Sequence, residues 1–262
     1  MMQTLAGCAG PRHTRPMRAA FLFLALTMPA AAQAPCATDA MVVFDGSASM
    51  AEIGFDTGAT NRITDARAAM ARVMPDVEKV RRIGLVTYGP GPEGSCDGIR
   101  LRFPPINAAA AQMKAELDAL EPNGLTPLAA AVQRAAEVLN YRLQPAIVVL
   151  VTDGNETCGG RPCALGRTLA ATAADLTIHV IGYKAESDFF SWNNPEASQI
   201  PKGDTVAKCL SDATGGRFVS TQTVEELVEA LQETLGCALI GQIQPAPRTK
   251  SGSTPAVMLA PS

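Results

Sequence analysis

Three oxygen-bearing side chains stand at alternate positions in "MVVFDGSASM" (Met41 to Met50): Asp45, Ser47 and Ser49. Thr126, in "NGLTPL", and Asp153, in "VLVTDGNE", add a third hydroxyl and a second carboxylate. Two carboxylates and three hydroxyls make a hard, oxygen-only donor set. Such a set suits Mg²⁺, Mn²⁺ or Ca²⁺ rather than Zn²⁺ or Cu²⁺. If hydroxyls touch the ion and carboxylates act through water, the ion keeps much of its charge. It can then draw a carboxylate from another molecule into its shell. Asp and Ser also favour turns and helix starts, so Asp45 alone carries little weight; Thr126 and Asp153 in matching positions give it meaning.

These residues need elements to hold them at one place. "AMVVF" (Ala40 to Phe44), "RIGLVTYG" (Arg82 to Gly89), "AIVVLVT" (Ala146 to Thr152), "TIHVIGY" (Thr177 to Tyr183) and "RFVS" (Arg217 to Ser220) read as strands, and "IRLRF" (Ile99 to Phe103) as a half-exposed edge strand. Helices are expected at Ile63 to Met74, Asn107 to Leu120 with Asn107 as cap, Pro127 to Asn140 with Pro127 in the first turn, and Ala164 to Leu176. In Thr223 to Gly236, Val224, Leu227, Val228, Leu231 and Leu235 form one apolar face. Thr223 with Glu226 predicts a capping box. Strand and helix alternate throughout, which predicts an α/β fold: a doubly wound, mostly parallel sheet with helices on both faces. Ligands of such sheets gather at the carboxyl ends of the strands. Asp45 and Asp153 follow two strands, and Thr126 enters a helix, so all five donors can converge on one rim.

"DGSAS" after a buried strand, "GLTP" before a helix and "TDG" after another buried strand resemble, in order, the metal-ion-dependent adhesion site of von Willebrand factor type A domains. The resemblance spans about Ala40 to Gly236. It implies a six-stranded sheet with one antiparallel edge strand, Ile99 to Phe103. It also implies an ion at Asp45, Ser47, Ser49, Thr126 and Asp153, with Mg²⁺ expected and Mn²⁺ or Ca²⁺ open. Family members bind proteins through the ion, and some shift their last helix in doing so. Ala48 stands where many members have Gly. "TDGNETCGGRPC" (Thr152 to Cys163) resembles a bacterial exported subgroup with a second Cys after "TDGxETC".

The chain has 262 residues, 47% hydrophobic and 18% charged, with a formal net charge of −3. That balance gives no reason to expect nucleic acid. Residues 1–34 read as a signal peptide: Arg12, Arg15 and Arg18 precede the apolar "AAFLFLALTMPA" (Ala19 to Ala30) and the small-residue stretch "AAAQA" (Ala30 to Ala34). Met17 is an alternative start. "LAGC" (Leu5 to Cys8) lacks the apolar segment that a lipoprotein site needs, and reads as coincidence. Loss of the leader leaves 19 basic against 25 acidic side chains, a balance of −6. Residues 35–238 are the expected domain and 239–262 a flexible tail. The mature chain is expected to be exported, to the periplasm or, alternatively, outside the cell, and without a transmembrane segment.

Export and an even count of mature cysteines suggest disulfides. Six cysteines permit 15 pairings. Placed on the resembling fold, Cys158–Cys163 would pin the metal rim, Cys36–Cys237 would join the two ends of the domain, and Cys96–Cys209 would remain. Zinc is disfavoured, because no second Cys or His pair accompanies Cys158 and Cys163. Glu52 and Glu156 read as solvated surface residues, and His179 as a satisfied strand histidine. Lys184 to Thr205 is long for its place. Its Phe189, Phe190 and Trp192 are candidate partner-binding anchors. The functional expectation is a non-enzymatic binding module whose protein partner supplies an accessible Asp or Glu to the ion. A metal-dependent hydrolase is the rival, with Glu156 the nearby candidate base; a purely structural domain is the third reading.

Overall fold

The computed structural model describes residues 38–53, 60–185, 194–196, 198 and 205–236. The leader, Cys36, Phe189, Phe190, Trp192, Cys237 and the tail lie outside the described residues. Six strands form one sheet: β1 (Ala40–Asp45), β2 (Ile83–Tyr88), β3 (Arg100–Ile106), β4 (Pro145–Thr152), β5 (Asp175–Tyr183) and β6 (Phe218–Thr221). Their order is β3-β2-β1-β4-β5-β6. All neighbours pair in parallel except β2 with β3, which are antiparallel. The order reverses at β1, so β1 runs between β2 and β4 in the middle of the sheet.

β1 is buried along its whole length. Its alternate side chains serve two cores, as the pleat dictates. Ala40, Val42 and Phe44 pack with α1 (Arg62–Val77), α2 (Ala110–Asp118) and α6 (Val224–Leu235). Met41 and Val43 pack with α3 (Leu128–Val138), α4 (Pro162–Thr172) and α5 (Lys208–Thr214). Each of the larger ones, Met41, Val42, Val43 and Phe44, contributes about 1.5–3 kcal/mol by complete burial. That burial on both faces fixes the register of β1, and with it the height at which Asp45 emerges.

The edge strand β3 carries Pro104 and Pro105. Proline has no N–H to donate, so a proline pair fits an edge and blunts it against further pairing. Expected elements are recovered within a few residues at most ends. One helix was not anticipated from sequence: α5, only seven residues long. The capping box of α6 is formed, with Thr223 and Glu226 as its partners.

Asn107 is not the cap of α2, which begins at Ala110. The Glu78 carboxylate accepts from the Ala110 N–H at 2.7 Å instead. Two further helices are capped the same way, from a distance. Neither α3 nor α4 has a side-chain cap of its own, and Pro127 sits at the cap position of α3 rather than in its first turn. Glu156 accepts from the Ala129 N–H at 2.8 Å. Glu196 accepts from the Cys163 and Ala164 N–H groups at 2.7 and 3.0 Å. A carboxylate at a helix N-terminus satisfies orphan donors and meets the positive end of the dipole. All three glutamates come from other elements of the fold.

Candidate metal centre

The carboxyl ends of β1 and β4 bring Asp45, Ser47, Ser49 and Asp153 into one hydrogen-bonded chain. Ser47 Oγ donates to Asp45 Oδ1 at 2.6 Å, and Ser49 Oγ donates to Asp153 Oδ1 at 2.9 Å. The two hydroxyl oxygens are 3.1 Å apart. Asp45, Ser47 and Asp153 are buried, at 0%, 2% and 4% exposure, while Ala48 and Ser49 open the rim to solvent.

Thr126 is buried and held through its backbone. Its N–H donates to Thr157 Oγ1 at 2.8 Å, and its carbonyl accepts from the Thr157 N–H at 3.1 Å. The Gly124 carbonyl accepts from the Ala48 N–H at 3.2 Å, and the Gly46 carbonyl from the Asn123 N–H at 3.0 Å. The loop bearing Thr126 is therefore stitched to both of the other loops. Beneath them lies Gly89, with φ +104°; a Cβ there would come within 2.2 Å of Gly46 C and Ser47 N. Only glycine permits that turn and that approach.

Each oxygen of Asp45 is committed. Oδ1 accepts from the Ser47 N–H at 2.8 Å as well as from its hydroxyl. Oδ2 accepts from Tyr88 OH at 2.8 Å and from Thr152 Oγ1 at 2.6 Å. Burial, and then the Asp45 charge, raise the Tyr88 phenol well above its ordinary value, so it remains a donor. Asp153 differs, because Arg62 Nη1 donates to its Oδ2 at 3.0 Å. Burial and the nearby Asp45 charge push Asp153 upward, outweighing the help of Ser49 and Arg62. A buried carboxylate facing another resists ionisation, as Asp153 does beside Asp45, and a cation is what would relieve it.

Sequence reasoning placed Glu52 and Glu156 on the surface. Glu52 is exposed, and it pairs with Arg62 at 3.1 Å. Glu156 is not on the surface: it is 2% exposed, and its second oxygen accepts from the Cys158 N–H at 2.8 Å. Burial is tolerated because both oxygens are hydrogen-bonded. His179 accepts at Nδ1 from the Arg217 N–H at 3.1 Å, a satisfied strand histidine.

The cysteine pairs differ from expectation. Cys96 is bonded to Cys158 (Cα–Cα 5.8 Å) and Cys163 to Cys209 (4.7 Å). Neither Cys158–Cys163 nor Cys96–Cys209 forms; Cys36–Cys237 falls outside the described residues. The reason is the start of α4. Cys163 lies in its first turn, buried toward α5, where Cys209 sits. Gly166 lets the two helices meet closely; a Cβ there would lie 3.0 Å from the Cys209 carbonyl oxygen. Cys158 instead faces the loop 89–98 and anchors it to the rim. That loop also receives the Leu125 N–H on the Ser95 carbonyl.

Among the described residues no three His, Cys, Asp or Glu side chains cluster as metal ligands. The donor set here has only two carboxylates, and hydroxyls complete it. Arg62, Tyr88, Thr152 and Thr157 were missed from sequence. Tyr88 and Thr152 had a readable signal: each is a polar residue closing a buried strand beside Asp45.

Comparison with known proteins agrees with this geometry. The sequence model of the von Willebrand factor type A domain matches residues 40–156. The uncharacterized protein YwmD of Bacillus subtilis (strain 168) is 26% identical over 213 residues, covering 78% of this chain and 87% of YwmD. The pilus adhesin SpaC from Lactobacillus rhamnosus GG superposes with a TM-score of 0.57 at 13% identity, over 77% of this chain and 30% of SpaC. Proximal thread matrix protein 1 from the mussel byssus, solved with a zinc-occupied MIDAS motif, gives 0.51 at 18% identity, over 77% of this chain and 46% of that one. Residues 40–156 thus carry the sequence pattern of a von Willebrand factor type A domain, and the described chain has that domain's six-stranded α/β fold. Two disulfides fit an exported protein, and no described helix is long and apolar enough to cross a membrane.

Proposed function

We propose that this chain is an exported binding module that holds a divalent cation, Mg²⁺ foremost, at Asp45, Ser47, Ser49, Thr126 and Asp153. Through that ion it captures a protein that offers an Asp or Glu carboxylate. The observation that carries this reading is the pair of serine hydroxyls. Each has one proton, and both protons are directed to carboxylates. Their oxygens are also only 3.1 Å apart, close enough for one ion to touch both. A cation accepts both, while Asp45 and Asp153 take the protons and neutralise charge from behind. Such an ion, touched chiefly by neutral oxygens, keeps the charge to recruit an anionic ligand.

The role is binding rather than catalysis. Glu156, the nearby carboxylate that could have served as a base, has both oxygens on backbone N–H groups and sits behind the rim. Calorimetry of the purified chain with Mg²⁺ and Mn²⁺ tests the ion. Cross-linked capture from the native cell envelope, in Mg²⁺, in chelator and with Asp153→Ala or Ser49→Ala, tests the partner. A partner held only by the unaltered chain in Mg²⁺ is expected. The same proteins captured in every condition, or no heat with either ion, would sink the reading.

A further inference from the structure

Asp45 and Asp153 are unequal in one respect. Every donor to Asp45 is neutral: the Ser47 N–H and hydroxyl, Tyr88 and Thr152. Asp153 has a full positive charge against it, the Arg62 guanidinium, itself only 7% exposed. Arg62 is delivered by architecture. It is the first residue of α1, whose start is fixed by the Asn61 side chain on the Thr64 N–H at 3.1 Å. Its own N–H donates to the Glu52 carbonyl at 3.2 Å. The same Nη1 that reaches Asp153 also reaches the Ser49 carbonyl at 3.3 Å and Glu52 Oε2 at 3.1 Å. The guanidinium therefore touches two of the five donor residues from behind.

We propose that Arg62 is a resident counter-cation of this site. It compensates Asp153 when no ion is bound and opposes the divalent ion when one arrives. The inference rests on the metal reading above. The side chain suits the task, since a guanidinium stays charged at any working pH and cannot be relieved by losing a proton. The two carboxylates balance the divalent ion, and the guanidinium adds one positive charge beside them. Glu52 offsets this weakly, because its side chain is 65% exposed and screened by water. The surplus has two consequences. The ion is held less tightly than two carboxylates would otherwise hold it, so it exchanges. The loaded rim attracts an external carboxylate more strongly than a neutral one would. Arg62 thus acts as a positioning and specificity residue, without itself touching the partner.

The test combines calorimetry with Mg²⁺ and thermal melts, in chelator and in saturating Mg²⁺, on the unaltered chain, Arg62→Gln and Arg62→Lys. Removing one opposing charge several ångströms from the ion should tighten Mg²⁺ binding by about tenfold in Arg62→Gln. Its melting temperature in chelator should fall below that of the unaltered chain, and saturating Mg²⁺ should close most of the gap. Arg62→Lys keeps the charge, so its Mg²⁺ affinity should stay within about threefold. Equal or weaker Mg²⁺ binding by Arg62→Gln overturns the proposal, as does an equal melting deficit with and without the ion. Should Arg62→Gln not fold even in Mg²⁺, Arg62→Lys decides: affinity within that range supports the role of charge, and a larger change in either direction overturns it. An unaltered chain that binds no ion removes the metal reading and this proposal together. An unaltered chain that binds Mg²⁺ while Arg62→Gln binds no tighter removes only the proposal.

Discussion

Replacing Glu156 by Gln changes one oxygen for one NH₂ group and almost no volume. The consequences can be worked from the geometry. The two carboxylate oxygens accept from Ala129 and Cys158, each at 2.8 Å, at a site 2% exposed to solvent. A glutamine has one carbonyl oxygen, so it can serve only one of those donors. Its NH₂ must then face the other backbone N–H, donor against donor. A charged hydrogen bond is worth about 1.5–3 kcal/mol, and a buried donor left unsatisfied costs about 1–3 kcal/mol. The helix also loses a negative charge at its positive end, worth roughly 0.3–1 kcal/mol. These overlap, since they describe the same broken contact, so about 2–4 kcal/mol is expected. Gly160 packs against this carboxylate; a Cβ there would lie 2.5 Å from Glu156 Oε2. The assay is chemical denaturation with disulfides intact, read by circular dichroism. It should be paired with Mg²⁺ titration, because Ala129 lies three residues beyond Thr126, and a loosened helix start should weaken binding if Thr126 holds the proposed ion. Stability within about 0.5 kcal/mol of the unaltered chain, the range of an ordinary surface substitution, would refute the reasoning. It would return Glu156 to the solvated role that its sequence context suggests.

Tyr88→Phe removes one donor from Asp45 Oδ2 and leaves Thr152 on it; a loss of about 1.5 kcal/mol in denaturant and weaker Mg²⁺ binding are expected, and unchanged values in both would contradict a positioning role. Asp65 is held below its ordinary value of 3.8: burial pushes it up, but the Thr60 and Tyr183 hydroxyls and the Lys184 ammonium outweigh that. A depressed carboxylate stabilises the fold above its unfolded value and loses that contribution as pH falls through the folded one. Asp65→Asn should therefore flatten the decline of melting temperature below about pH 4, whereas a parallel acid limb would refute it. Peptide mapping without reduction should yield Cys96–Cys158 and Cys163–Cys209 fragments; a Cys158–Cys163 peptide would refute the arrangement. Exchanging Cys96 and Cys158 together for Ser should cost about 2–5 kcal/mol and weaken ion binding, because the loop 89–98 is then tied to the rim by hydrogen bonds alone.

The fold was legible in the sequence because its signals are local and repeated. A central strand such as Val148 to Val151 is buried on both faces, and it writes that fact as a continuous apolar, mostly β-branched run. The capping box of α6 is complete within four residues. Where information is not local, the sequence is silent. Asn107 looked like a cap because Asn commonly is one, yet the Glu78 carboxylate, 32 residues before Ala110, occupies the place. The short α5 was invisible for a related reason. Seven residues make too few turns to show a period, and its stability comes from packing against α4 and β5 rather than from propensity. Missing α5 also hid the cysteine pairing, since nothing then indicated that Cys209 stood on a helix facing Cys163.

The candidate site divides along the same line. Asp45, Ser47, Ser49, Thr126 and Asp153 could be named because each ends, follows or leads into an element whose boundary is itself readable. Their supports could not. Tyr88, Thr152, Thr157, Glu156 and Arg62 matter through partners that are distant in sequence; the register of β1 between β2 and β4 brings Tyr88 and Thr152 to Asp45, and loop and helix packing brings the rest. "TDGNETC" shows how dense this second layer is. Thr152 bonds Asp45, Asp153 faces the rim, Glu156 caps α3, Thr157 pairs with the backbone of Thr126, and Cys158 is linked to Cys96. Together these ties reach three other segments, residues 45–49, 126–129 and the loop holding Cys96. These residues are therefore positioned by contacts that need no ion, and the ion proposed above would find them already arranged. That pre-organisation is the physical reason for a hydroxyl-rich site: neutral oxygens can be held 3.1 Å apart without a cation, whereas a ring of bare carboxylates could not.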